Sequence, residues 1–160
     1  IPSPIIASIG GACFGGGVQF ALSADIRIAA EHSKFGIPAV QVGLAYPLSA
    51  LERLVTLVGA GNASQILLTA MPFDAPTALR YRLINEIVAG DLAERTKILA
   101  DAIANSPIAN SRAYKAIING IATRPVDGSV VSVHKKFAAE AHYLKKLEAI
   151  ALQRSGSSKQ

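Results

Sequence analysis

Ile5-Ile6-Ala7-Ser8-Ile9-Gly10-Gly11-Ala12-Cys13-Phe14-Gly15-Gly16-Gly17-Val18-Gln19-Phe20 decides how the rest of the chain is read. A short apolar run bounded by turn residues has the pattern of a buried strand. Five of the eight residues from Gly10 to Gly17 are glycine. Glycine admits positive φ and a close backbone approach to a ligand. A helix that starts after such a turn presents unpaired N–H groups and a partial positive charge. The stretch therefore predicts a strand, a glycine turn and a helix N-terminus suited to an anion, or to an oxygen that becomes one during a reaction.

Working outward, residues 4–9 are expected as a strand and 17–24 as a short helix with Phe20, Ala21 and Leu22 inward. Residues 25–29 form a second strand, 31–34 a turn, and 35–43 an extended or irregular segment in which Pro38 blocks a helix. Pro47 suits the first position of a helix whose apolar face is Leu51, Leu54, Val55 and Val58, with Gly59 closing it. Helices follow at 63–70, 75–82 with Asp74 as cap, 91–105 and from Ser106-Pro107 to Pro125, with a strand at 84–88. Asp127 caps a last helix with Val130, Val133, Phe137, Ala141, Leu144 and Leu147 at helical spacing. Strands and helices alternate early and helices dominate late, which divides the chain into an α/β core over residues 1–89 and a helical region over 90–160.

Composition narrows the function classes. The chain has 160 residues, 51% hydrophobic and 17% charged, so it can bury a core and is not disordered. Its net charge of +5 is dispersed apart from Lys135-Lys136 and Lys145-Lys146, without the basic and aromatic clustering of a nucleic-acid binder. A phosphate-bearing small molecule accounts for the excess better, with simple solubility as the other reading. Cys13 is the only cysteine, which rules out a disulfide within the chain and a cysteine metal site. No apolar run reaches the roughly 18 residues of a membrane helix. Reducing conditions and a cytoplasmic location are expected, with mitochondrial or peroxisomal placement left open, although the end, Ser157-Ser158-Lys159-Gln160, is not a Ser-Lys-Leu address. A chain that opens at Ile1 and enters a strand at once is expected to lack an upstream part of its fold.

The glycine turn is not a nucleoside-triphosphate loop, because no Gly-Lys-Ser/Thr follows. It is neither G-x-G-x-x-G nor the G-x-S-x-G nucleophile elbow. Cys13 as a nucleophile would need a histidine nearby, and His32, His134 and His142 are not spaced to suggest one. A buried, inert cysteine is the simpler reading. His134 and His142, eight apart, read as surface or interface residues and not as a metal pair.

Gly11 to Ala29, then Phe35-Gly36-Ile37-Pro38, resembles the crotonase (enoyl-CoA hydratase/isomerase) superfamily. Gly43-Leu44 before a proline loop, Arg53-Leu54, Leu57-Val58-Gly59, Leu67-Leu68-Thr69-Ala70, residues 75–78 and Leu83-Ile84-Asn85 extend the match. The resemblance implies an α/β fold: a ββα spiral core, here partial with its N-terminal part missing, followed by a helical C-terminal oligomerisation region and a homotrimer or hexamer. It implies an acyl-CoA thioester as ligand, no separate cofactor and no metal, and no nucleic-acid or membrane partner. Two backbone N–H groups would polarise the thioester carbonyl and stabilise an enolate. By this resemblance Gly16 supplies one, with Gly15, Gly17 and Ala39 lining the substrate site, and an upstream loop would supply the other.

The two glutamates that hydratases of the family use for water addition are replaced. Gln19 stands at the first position and Ala39 at the second. Neither exchanges a proton near neutral pH, and each such group contributes roughly 100- to 10,000-fold to a rate. Ordinary hydration is therefore not expected. Tyr46, in Gly43-Leu44-Ala45-Tyr46-Pro47, is a third candidate: a phenol there could orient a carboxylate or protonate an enolate, or could simply pack as a loop aromatic. Gln19 could bond substrate or a water, or fill the wall. Asp25 reads as a cap or ion-pair partner. Enolate chemistry by decarboxylation, isomerisation or C–C cleavage is one function class; a non-catalytic relative that binds acyl-CoA or assembles with active subunits is the other.

Overall fold

The computed structural model describes residues 1–122 and, beyond them, 128, 131, 132, 134–136, 138 and 139. The proposed stripe of Val130, Val133, Phe137, Ala141, Leu144 and Leu147 lies outside the described residues, as do His142, Lys145, Lys146 and Arg154.

The strands are short and change sheet as the chain advances. β1 (Ile6–Ile9) enters one sheet and β2 (Ala12–Phe14) the other. After helix α1 (Gly16–Ser23) the pattern repeats with β3 (Ile26–Ala30) and β4 (Lys34–Gly36). One sheet has the order β1-β3-β6, all parallel, where β6 is Glu86–Val88. The other has the order β2-β4-β5, where β5 (Phe73–Asp74) runs antiparallel to β4. This alternation of two strands and a helix is the ββα spiral that the resemblance implied.

β2 departs from the expected glycine turn. It is a strand of three residues between Gly11 and Gly15, too short for a periodic signal, and it is made by pairing: Cys13 lies opposite Phe35 and Phe14 opposite Gly36. The extended segment likewise resolves into β4 and a 3-10 turn at Pro38–Val40. Phe20 is a correction. It is 81% exposed, whereas Val18, Ala21 and Leu22 carry the inner face of α1. Val55 also points outward, leaving Leu54 and Val58 buried.

Helix α2 (Leu48–Thr69) is broken where Gly59 takes φ 76° and ψ 160°. That conformation favours glycine, so the predicted stop at Gly59 appears as a kink between two helical halves. Asp74 caps α3 (Ala75–Arg80) by accepting from Thr77 N–H at 3.0 Å, as expected. Asp91 caps α4 (Leu92–Ala104) through the N–H groups of Ala93 and Glu94. α5 (Ile108–Ala122) follows.

The core fills the space between the sheets and α2. Phe35, Leu22, Ile28, Ile37, Leu54 and Ile84 are almost fully enclosed. Arg27 is buried with them, and its guanidinium donates to the carbonyls of Leu83 (2.8 Å) and Ala24 (2.6 Å). Burial, with the Arg53 charge nearby, lowers its pKa to about 10 against a partial offset from Asp25. Asp25 is the structural partner that the sequence suggested: it accepts from Ile5 N–H and pairs with Lys115, both at 2.8 Å. Among the described residues no helix is long and apolar enough to cross a membrane.

Candidate functional site

The site is built on the crossing from β2 into α1. Gly15, the residue before the helix, takes φ 47° and ψ −108°, which an L side chain rarely adopts. Its N–H donates to Gly36 carbonyl on β4 at 2.9 Å. Its carbonyl accepts twice, from Gln19 N–H at 3.1 Å and from the Tyr46 hydroxyl at 2.9 Å. A trans peptide directs its carbonyl and N–H oppositely. With Gly15 carbonyl turned toward the helix and Tyr46, Gly16 N–H points away from both. It meets no acceptor among the described residues, as befits the first residue of a helix. Gly16 is exposed and a Cβ there would have open space around it.

The other candidates take different places. Gly17 lies over Cys13, whose sulfur would sit 3.7 Å from an added Cβ. Cys13 is buried and free, and burial pushes its thiol pKa up, so it is held as a thiol. Gln19 is exposed on α1 beside a cavity of about 440 Å³, which Phe20, Ala50, Arg53 and Lys115 also line. Ala39 sits half-buried on the 3-10 turn against the core and takes no part in the bonds at Gly15. Gly15, Gly16 and Tyr46 are thus brought together, whereas Gln19 joins them only through its backbone N–H and lines a cavity to which none of them contributes, and Ala39 packs against the core.

Sequence reasoning missed two supports. Gly36 carbonyl anchors Gly15, and its signal was the Phe-Gly-x-Pro segment itself. His134, read as a surface or interface residue, hydrogen-bonds through Nε2 to Tyr46 carbonyl at 2.9 Å. Eighty-eight positions separate these two residues, and no local pattern links them. His32 bonds Gly10 carbonyl at 3.0 Å. No cluster of three or more metal-ligating side chains occurs among the described residues.

Tyr46 is 8% exposed. Burial, with Cys13 adding to it, raises its pKa from 10.0 to about 12. Above about pH 10 the unfolded phenol ionises while the folded one does not, so the unfolded state binds fewer protons. The stability tied to this group is complete below about pH 10 and lost as pH rises to about 12. Two units correspond to about 3 kcal/mol. Chemical denaturation across that window should show the loss in the wild type and a shallower fall in Tyr46→Phe; identical slopes would contradict it.

A fold of two sheets linked by ββα turns, with a glycine-led helix N-terminus at its centre, has clear relatives. Residues 1–149 match the enoyl-CoA hydratase/isomerase family model, and the chain belongs to that family. It is 37% identical over 123 residues to the short-chain-enoyl-CoA hydratase of Clostridium acetobutylicum, covering 76% of this chain and 47% of that protein. An enoyl-CoA hydratase structure from Mycobacterium tuberculosis superposes with a TM-score of 0.73 at 32% identity, covering 91% of this chain and 65% of that one. A methylmalonyl-CoA decarboxylase structure reaches a TM-score of 0.80 over 88% of this chain and 56% of that one; at 23% identity it shows the shared fold alone. The chain spans about half the length of the curated relatives it matches.

Proposed function

We propose that this chain carries the oxyanion half-site of an acyl-CoA-processing enzyme, in which Gly16 N–H binds a thioester carbonyl oxygen and stabilises the enolate formed from it. The observation that carries this is the Gly15–Gly16 peptide, its carbonyl held by Gln19 N–H and the Tyr46 hydroxyl and its N–H without an acceptor among the described residues at a helix N-terminus, in a chain of a family named for enoyl-CoA chemistry. Such preorganised donors act on developing negative charge. Gly15 and Gly17 shape the turn against the thioester, with Ala39 on the neighbouring wall, and a second donor comes from outside these residues.

Gln19 and Ala39 cannot supply the acid and base of water addition, so the reaction is decarboxylation, isomerisation or C–C cleavage of an acyl-CoA and not standard hydration. The same substitutions favour a second reading: a non-catalytic relative that binds acyl-CoA or assembles with active subunits. Tyr114, Ile117, Ile118 and Ile121 of α5 are all more than half exposed, which supports a trimeric or hexameric assembly covering them. The test is turnover of enoyl-, malonyl- and methylmalonyl-CoA thioesters by the full-length protein, alongside CoA binding, since this chain alone, with one donor of the two, is expected to be inactive. Release of carbon dioxide, isomerised product or cleaved product supports the enzyme. Binding of CoA thioesters without turnover supports the second reading, and hydration at an ordinary enzymatic rate would sink the exclusion of water addition.

A further inference from the structure

We propose that Tyr46 is a positioning residue for the oxyanion donor: its hydroxyl fixes the Gly15–Gly16 peptide plane and so aims Gly16 N–H. This rests on the reading of Gly16 given above and assigns Tyr46 a role different from direct contact with substrate.

Three consecutive glycines leave the backbone from Gly15 to Gly17 with wide conformational freedom. Gly15 nevertheless has a single defined geometry, because its peptide groups are tied on both sides. Gly36 carbonyl holds its N–H. On the other side, Gln19 N–H and Tyr46 Oη both donate to its carbonyl. The Gln19 bond is the first of α1, at a helix end where the terminal turn frays. The Tyr46 bond comes from a different element, 31 residues away. It keeps the peptide from rotating when the terminal turn loosens. Rotation of that plane would carry Gly16 N–H away from its direction, since the two dipoles of one trans peptide move together.

Tyr46 is itself held at several points. Its ring is buried. Pro47 follows it and biases it toward extended backbone. Pro47 carbonyl accepts from the N–H groups of Ala50 and Leu51, which ties the loop to the start of α2. The described His134 bonds Tyr46 carbonyl from the far end of the chain. The phenol has one proton to donate, and it is given to Gly15 carbonyl. A Tyr46 that protonated an enolate or bound a carboxylate through that proton would have to release the peptide.

Tyr46→Phe removes the hydroxyl and keeps the ring. Gly15 carbonyl retains its Gln19 partner, so no buried acceptor is orphaned. Loss of a whole oxyanion donor costs roughly 100- to 1000-fold; a donor left in place but loosely aimed is expected to cost about 10-fold in kcat with little change in KM. The direct readout is the infrared carbonyl stretch of a bound acyl-CoA thioester. It should lie below its solution frequency in the wild type and return part of the way in Tyr46→Phe. The affinity for a CoA thioether, which has no carbonyl, should be unchanged. Replacement of Tyr46 by 4-aminophenylalanine restores a donor and should restore the shift, and it serves equally if Tyr46→Phe folds poorly. An unaltered carbonyl shift in Tyr46→Phe, or a thioether affinity lost in step with the thioester affinity, overturns the positioning role. A wild type that binds thioester without any carbonyl shift would instead overturn the reading of Gly16 on which it rests.

Discussion

Gly16→Pro is expected to lower acyl-CoA turnover by roughly 100- to 1000-fold, the usual cost of one oxyanion donor, with the fold intact. The separation of the two effects follows from the position. Gly16 is the first helical residue of α1, where proline is well tolerated because its missing N–H has no helical acceptor to lose. A Cβ added at Gly16 meets nothing within 4 Å. The residue before a proline is pushed away from α-helical backbone, and Gly15 is already outside that region at φ 47° and ψ −108°. Its mirror image, equivalent for a glycine, also lies outside the helical region that a following proline opposes. Stability should therefore stay within about 1 kcal/mol of the wild type. Gly16→Ala keeps the N–H in the same open space and should retain most of the activity. Measured kcat/KM for the pair decides the matter. Equal losses in the two variants would mean that bulk at Gly16, and not its N–H, matters. No loss in Gly16→Pro would remove Gly16 from the oxyanion site.

The turn around Gly16 was legible because its signals are local. Glycines, a following helix, and caps such as Asp74 and Asp91 all act within a few residues, and Gly59 announced its kink in the same way. β2 was not legible: three residues among glycines have no period, and only the facing β4 makes them a strand. Phe20 misled because a hydrophobic residue on a short helix is expected inward, whereas Val18, Ala21 and Leu22 already fill that face. The bonds that define the site were beyond sequence reading for a physical reason. Tyr46 to Gly15, Gly36 to Gly15 and His134 to Tyr46 join parts of the chain that only the fold brings together. The sequence could mark Tyr46 as a candidate, but whether its hydroxyl faces substrate or backbone is decided by where α2 begins.

Phe35→Ala is expected to destabilise the chain by roughly 3–5 kcal/mol, a large share of the 5–15 kcal/mol typical of a whole domain. Phe35 is 1% exposed, in the middle strand of its sheet, with Cys13 of β2 on one side and Phe73 of β5 on the other. Its ring stacks on Phe73 with centroids 5.8 Å apart, and Phe73 in turn packs on Tyr81 at 5.7 Å. Truncation removes the stacking on Phe73 and leaves a cavity in the middle strand, while the Phe73–Tyr81 contact stays. Phe35→Leu keeps most of the volume and should cost much less. Urea denaturation of the three proteins measures this, and a cost below about 1 kcal/mol for Phe35→Ala would show that the site collapses around the missing ring. The effect reaches the glycine turn through the next residue. Gly36 holds Gly15 N–H, in the peptide just before the one whose carbonyl Tyr46 holds, so a loosened β4 frees one flank of Gly15. Phe35→Ala should therefore speed amide hydrogen exchange at Gly15 more than at Gln19, whose own bond belongs to the helix.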